Sequence, residues 1–233
     1  MNVIARKLKG VAEILACLPR GEVANFFYLV SKHLPDWLFK FNRGMILVSS
    51  SPRLPTRSNP RFTFRKADTD DFEEIARFSE VPQSALHERV KNGDWGYITR
   101  DTENEDVIVS VQWIHVGPCF IRGYGLRLDM GDKAAYIYGA LSAREVRLLG
   151  VFNSAFKRVC EILESEGVSE IVGLVEFFNS TAYNYHLRSN FADIATVTYV
   201  SIFGIKFSAW RHADDGRRKT CAYLRRPKEI PWI

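Results

Sequence analysis

Residues 148–167, LLGVFNSAFKRVCEILESEG, constrain the fold more than any other stretch. Val151, Ala155, Val159 and Ile162/Leu163 recur at helical spacing, and Gly167 stops the run. A helix with one apolar stripe must lay that stripe on a second layer. Candidate strands stand on either side of it: KAAYIYGALS before and SEIVGLVEF after. Further upstream, FTFRKA alternates as a strand. DTDDFEEIARFSE follows as a helix capped by Asp68 or Thr69, with an acidic first turn that suits the helix dipole. PQSALHERVKNG starts at a favoured proline position and stops at Asn92-Gly93. DWGYITR and VIVSVQWIHV read as strands joined in hairpin style by DTENED, and NSTAYNYHLRSNF reads as a helix before strands TVTYVSIFG and IKFSAW. The order is strand, two helices, three strands, helix, strand, helix, two strands. The expected fold is therefore α+β (an α/β mixed sheet), with a central sheet of about six to seven strands and helices on both faces.

Ahead of this unit, residues 1–48 read as a helical N-terminal extension. Its pieces are RKLKGVAEILACL, GEVANFFYLVSKHL and, opened by Pro35, PDWLFKFNRG. Residues 49–60, SSSPRLPTRSNP, read as a Pro/Ser-rich linker, because Pro and Ser punctuate and do not sustain a helix or a ladder. The main domain is then expected over 61–210 and a basic tail over 211–233.

Arg6, Lys7 and Lys9 precede the apolar run VAEILACL, but Glu13 interrupts it and Leu15 is too bulky for a cleavage site, so an export signal is not expected. No stretch approaches the length of a spanning helix. The four cysteines, Cys17, Cys119, Cys160 and Cys221, are far apart, with no CxxC pair and no zinc spacing. The expectation is reduced thiols, no metal and a cytoplasmic protein. A domain of this size removes roughly 70% of its unfolded surface from water, so it needs no such staples.

The net charge of +5 is uneven: residues 1–60 carry nine Lys/Arg against three Asp/Glu, and a second basic patch, KFSAWRHADDGRRKTCAYLRRPK, closes the chain. Phe26, Phe27, Trp37, Phe39 and Phe41 beside Lys32, Lys40 and Arg43 fit either packing against the main domain or peripheral membrane contact through residues 1–48. Basic residues and aromatics are not interleaved as a stacking platform, so no nucleic acid partner is expected. Homodimerisation is left open.

Two stretches carry chemistry. In AREVRLLGVF a strand gives way to the long helix through Arg147 and Gly150; helix N-termini present unpaired N–H groups and partial positive charge to phosphate oxygens. In NSTAYNYHLRSNF, residues 179–191, an asparagine, hydroxyls, tyrosines and a histidine crowd one helix. IRGYGLRLDMG also holds a G-x-G, better explained as a loop or hairpin than as a nucleotide site. Cys119 lies near His115 in sequence without an activating pattern.

The spacing of EVRLLGV, NSTAYNYHLRSNF and FRKADTDDFEEI resembles the GNAT superfamily of acyl-CoA-dependent N-acyltransferases, over about residues 62–208. In that family a Q/R-x-x-G-x-G/A loop holds the CoA pyrophosphate, and a later helix reads N-x-x-A/S-x-x-x-Y-x-K-x-G-F. Glu145, Arg147 and Gly150 match the first motif; Asn179, Ala182, Arg188 and Phe191 match the second. Four departures stand out. Leu148 and Phe152 replace small residues and imply a less open cradle. Asn190 replaces a glycine but still suits a left-handed helix stop. His186 occupies the position of the family's tyrosine.

The resemblance implies direct transfer of an acyl group, acetyl from acetyl-CoA, to an amine-bearing acceptor without a protein nucleophile. It also implies a cofactor site at Leu141, Ser142, Arg147, Leu148, Leu149, Gly150, Val151, Phe152 and Asn179. The donor to the leaving sulfur is His186 as imidazolium, or Tyr185; the base is Glu176, or a water chain. The alternatives are a long-chain acyl-CoA or acyl-carrier-protein donor, and a non-catalytic degenerate scaffold held at a membrane or partner.

Overall fold

The computed structural model describes residues 23–55, 59–104, 107–121, 123–213 and 218–223. The first expected helix, RKLKGVAEILACL, and the end of the basic tail lie outside them. Helix α1 spans Val23–His33. Strand β1, Phe39–Ser49, follows. Then come β2 (Phe62–Lys66), α2 (Phe72–Ser79), α3 (Gln83–Lys91), β3 (Trp95–Asp101) and β4 (Val107–Val116). A small hairpin of β5 (Cys119–Ile121) and β6 (Leu126–Leu128) precedes β7 (Ala134–Ser142). The chain ends with α4 (Val151–Ser165), β8 (Glu170–Glu176), α5 (Ser180–Arg188), β9 (Ala192–Ile202), β10 (Ile205–His212) and β11 (Arg218–Tyr223).

Nine strands form one mixed sheet in the order β11-β10-β9-β1-β8-β7-β4-β3-β2. Its neighbours pair antiparallel except β7 with β8. The mixed sheet agrees with the expected α+β class, but it is wider than six to seven strands. The added members are β1 and β11.

Strand β1 corrects the sequence reading. The third helical piece expected at PDWLFKFNRG is instead the entry to a strand, which lies in mid-sheet, antiparallel to both β8 (Gly44↔Glu176) and β9 (Phe41↔Val200). Ile46 and Leu47 on it are fully buried, facing opposite sides of the sheet. Residues 39–49 therefore belong to the sheet and do not stand ahead of a linker. The described residues of the segment that follows carry no helix or strand but are tied down: Arg53 N–H donates to the Ser189 carbonyl (2.9 Å), and Asn59 N–H to the Ser154 hydroxyl (3.0 Å). The basic tail also departs from expectation, since residues 218–223 pair with β10 as the edge strand.

Two layers cover the sheet. On one face α4 lays down the stripe read from sequence, with Val151, Ala155, Val159 and Leu163 buried, and adds Phe156: Phe156, Val159 and Leu163 meet Leu47, Ile114, Ala135, Ile171 and Val175, with Phe191 after α5. On the other face α2 and α3 bring Phe72, Ile75 and Leu86 against Ile98, Val111 and Trp113. Beside them the β5–β6 hairpin lays Tyr124, Leu126 and Leu128 on Ile46, Val172, Val197 and Trp210. The expected cap at Asp68 is present as a capping box with Asp71, although the first turn there is a 3-10 helix over Thr69–Asp71.

Candidate active site

The parallel pair β7 and β8 is bonded only from Ala134↔Glu170 to Ile137↔Gly173. Beyond that point each strand turns to its other neighbour: β8 stays with β1 as far as Glu176, and β7 stays with β4 as far as Ser142. A register shift opposite Trp113 places Gly139, at φ 58°, in the departing part of β7. Two parallel strands that separate while each remains paired elsewhere leave a crevice through the sheet. Its walls are residues 138–142 and 174–176.

The end of β7 leads to the expected phosphate-binding turn. Ser142 is held by a Ser110 hydroxyl contact (3.2 Å), and Arg147 Nε donates back to the Ser142 carbonyl (3.1 Å). Residues Arg144–Leu149 form a 3-10 helix rather than an open loop. Gly150, at φ 80°, then opens α4 in the left-handed region, where a side chain would be strained. No side chain caps α4, and the N–H groups of Val151, Phe152 and Asn153 have no bonding partner among the described residues. An added methyl at Gly150 would meet nothing within 4 Å. Open space in front of free N–H groups suits a phosphate oxygen, with the exposed Arg147 beside it.

Phe152 turns into the helix pair, stacked on Phe156 (6.1 Å) and edge-on to Tyr185 (5.0 Å), while Leu148 is 99% exposed. Leu149 and Leu141 are also exposed, and Val151 is buried.

Helix α5 distributes its residues differently from the expectation. Asn179 accepts the Ala182 N–H (3.0 Å), so its oxygen is engaged as the helix cap. Tyr185 points into the core against Phe152 and Phe156. Its hydroxyl is enclosed beside Ser189 without a well-formed hydrogen bond, and burial pushes it up to about 12. This placement keeps Tyr185 out of the crevice.

His186 faces the sheet: Nδ1 lies 2.8 Å from the Ala182 carbonyl, and a Cβ on Gly173 would sit 3.4 Å from Nε2. The Ala182 bond needs hydrogen on Nδ1, which leaves Nε2 bare in the neutral ring, and burial pulls the pKa below its ordinary value. The imidazolium donor expected from the sequence is thus disfavoured by desolvation. Asn190 adopts the left-handed stop, φ 64°, and gives its side-chain N–H to the Ser51 carbonyl (2.9 Å).

Glu176 ends β8 on the opposite face from His186, because three residues along a strand invert the side chain. The Tyr28 hydroxyl from α1 approaches its Oε2 at 3.4 Å. Tyr124, from the turn of the β5–β6 hairpin, is raised by burial first and then by the Glu176 charge. A Cβ on Gly44 would lie 2.7 Å from the Tyr124 hydroxyl, so only glycine leaves room for this ring.

The same face holds a network that sequence reading missed. The Tyr138 hydroxyl donates to Asp94 Oδ2 (2.5 Å), and His115 Nδ1 binds Asp94 Oδ1 (2.6 Å). His115 Nε2 lies 3.3 Å from the Pro118 carbonyl, and the bond to Asp94 raises its pKa. The Arg89 guanidinium lies over Trp113 (5.0 Å) and Tyr138 (5.2 Å). No local signal announced it, since Asp94, His115 and Tyr138 meet only through strand register. Cys119 is no nucleophile: burial pushes its thiol up to about 12. Among the described residues no group of His, Cys, Asp and Glu is placed to hold a metal ion, and no helix is long and apolar enough to cross a membrane.

No family model and no curated protein matches the sequence. Solved structures do resemble it. One is the GCN5-related glucosamine N-acetyltransferase region of a fungal multi-domain GH3 β-N-acetylglucosaminidase, at 12% identity over 68% of this chain and 21% of that one, with a TM-score of 0.51. Others are a GNAT-family acetyltransferase from Colwellia psychrerythraea (13%, 73% and 56%, 0.48) and a GCN5-related N-acetyltransferase from Kribbella flavida (12%, 74% and 61%, 0.46). In each case the chain spans less than two thirds of the other protein's length. The likeness is one of fold, and the first of the three carries it. With its separated parallel strands and a glycine-opened helix at the end of the crevice, the chain has the fold of the GNAT N-acetyltransferases.

Proposed function

We propose that the protein is an N-acyltransferase that moves an acyl group, acetyl in the simplest case, from acyl-CoA to an amine. The observation that carries this reading is the crevice between β7 and β8, with the uncapped N-terminus of α4 at its end. A thioester lying through such an opening has its phosphates on the free N–H groups of residues 151–153 and on Arg147. Its sulfur lies on the His186 face and its carbonyl is reached from the Glu176 face.

In the reaction the amine nitrogen attacks the thioester carbon, the C–N bond forms and the C–S bond breaks. One N–H proton leaves to a base and the thiolate takes up one proton. Glu176 is the carboxylate on the acceptor side, and a water chain is the alternative base. His186, neutral with a bare Nε2, has no hydrogen to give the sulfur, so the thiolate draws its proton from solvent.

Titration calorimetry with acetyl-CoA, free CoA and a long-chain acyl-CoA tests the site. Binding in the micromolar range should weaken at least about tenfold in Arg147→Glu. The preferred acyl length then separates acetyl from longer donors, including the long-chain alternative. Equal binding by wild type and variant, or none by either, would sink the reading. A scaffold that binds acyl-CoA without turning it over is favoured by one observation: Tyr185 is turned into the core against Phe152 and Phe156, and His186 is disfavoured as an imidazolium by burial. Release of free thiol in the presence of an amine panel distinguishes the two.

A further inference from the structure

At one end of the sheet, two turns meet. The loop between α1 and β1 ends at Leu38, whose carbonyl accepts the N–H of Phe203 (3.0 Å) from the β9–β10 turn. Each turn carries an aromatic ring out to solvent: Trp37 is 68% exposed and Phe203 71%. Ile202 and Ile205, paired beneath the turn, are also exposed.

The β9–β10 connection is a two-residue loop, Phe203-Gly204, with φ 49° and 80°. Positive φ at both positions defines a turn that favours Asn-Gly, and a bulky ring there is unfavourable in backbone and in solvation. A fold selected for stability alone would not put phenylalanine at that position.

The charges around the tip have one prevailing sign. Lys32, Lys40 and Lys206 stand against Asp36 alone over residues 32–40 and 199–207. Asp36 is paired with Lys40, whereas Lys206 has no ion pair among the described residues.

We infer that this tip is a docking surface for an anionic lipid bilayer, with Trp37 and Phe203 entering the headgroup region and Lys206 and Lys40 meeting lipid phosphates. Aromatic rings with lysines behind them suit the interface, where apolar area is buried and cations meet negative surface potential. The placement has a consequence. Because β1 runs antiparallel to β8 with Gly44 opposite Glu176, Phe39 lies five residues, on the order of 17 Å, beyond Glu176. The crevice opens toward the same end of the sheet, so a docked protein presents it to the bilayer. That consequence rests on the acyltransferase reading; the docking does not.

Sedimentation of the full-length protein with vesicles tests the inference, using phosphatidylcholine alone and an equimolar mixture with phosphatidylserine. Wild type should sediment with the anionic vesicles and less so as salt is added. Trp37→Ala/Phe203→Asn should weaken this about tenfold or more, and Lys206→Glu should weaken it on the anionic vesicles only. Phe203→Asn alone keeps the protein folded and raises its unfolding midpoint, because it installs the favoured turn pair. A loss of docking in that more stable variant cannot be misfolding. Unchanged binding by the double variant would overturn the inference, as would absence of binding to either vesicle. Lipid-free self-association that the double variant disperses would overturn it too, in favour of a second copy of the chain.

Discussion

At the scale of single residues, the two histidines near the crevice are shifted in opposite directions. His115 bridges Asp94 and the Pro118 carbonyl, an arrangement that favours the charged ring, whereas burial keeps His186 neutral. The stability His115 contributes is complete below about pH 6.5, the unfolded value. It is lost as pH rises through the raised folded value. His186 works the other way: the fold disfavours its proton, so stability falls as pH drops below about 6.5. An NMR titration of the ring C–H signals, assigned with His115→Gln and His186→Gln, should place the two on opposite sides of the ordinary value. A His186 that titrates above it would restore the imidazolium donor. Gly44 offers a second test. Its missing Cβ is the space beside the Tyr124 hydroxyl and Leu174 Cδ2, at 2.7 and 3.0 Å. In denaturant unfolding, Gly44→Ala should cost about 1–3 kcal/mol. Adding Tyr124→Phe should recover most of that, because it removes the atom in the way.

At the scale of elements, helix α5 shows how much of a motif is local structure. Asn179 caps it through the Ala182 N–H, and Asn190 closes it in the left-handed region. Asn179→Ala should therefore cost about 1 kcal/mol of stability. It should leave acyl-CoA affinity unchanged by calorimetry; a large loss of affinity would instead put Asn179 in the cofactor site. The stop at Asn190 was legible because it acts within a few residues of chain, whereas Asn179 was read as a cofactor residue and the structure makes it the cap. The succession along the chain of the main-sheet strands from β2 to β10 was legible, since alternation and turn residues write it locally. What α5 faces was not legible. Tyr185 and His186 are neighbours in sequence, yet one enters the core against Phe152 and Phe156 while the other meets Gly173. Only the angle at which the helix lies on the sheet separates them.

At the scale of the whole molecule, β1 ties the chain together. It fills the position between β8 and β9, and residues from its two faces enter both cores. Leu47→Ala should cost about 3 kcal/mol. Removing residues 1–49 should abolish cooperative unfolding, because it bares the edges of two central strands at once; a truncated protein with a sharp transition would show the strand to be dispensable. The segment FKFNRGMILVS was read as the end of a helical extension for a physical reason. Its partners lie more than a hundred residues away, and the pairing with Glu176 and Val197 is absent from any local window. The sequence by itself determined what is set within a few residues: the amphipathic stripe of α4, the alternation of the strands, the glycine at 150 and the left-handed stop of α5. The tertiary structure alone decided which strand stands in mid-sheet, where β7 and β8 part, and that the Asp94, His115 and Tyr138 side chains meet. It also decided that His186 is neutral, because pairing, crevice and desolvation depend on distances between segments that the chain order does not contain.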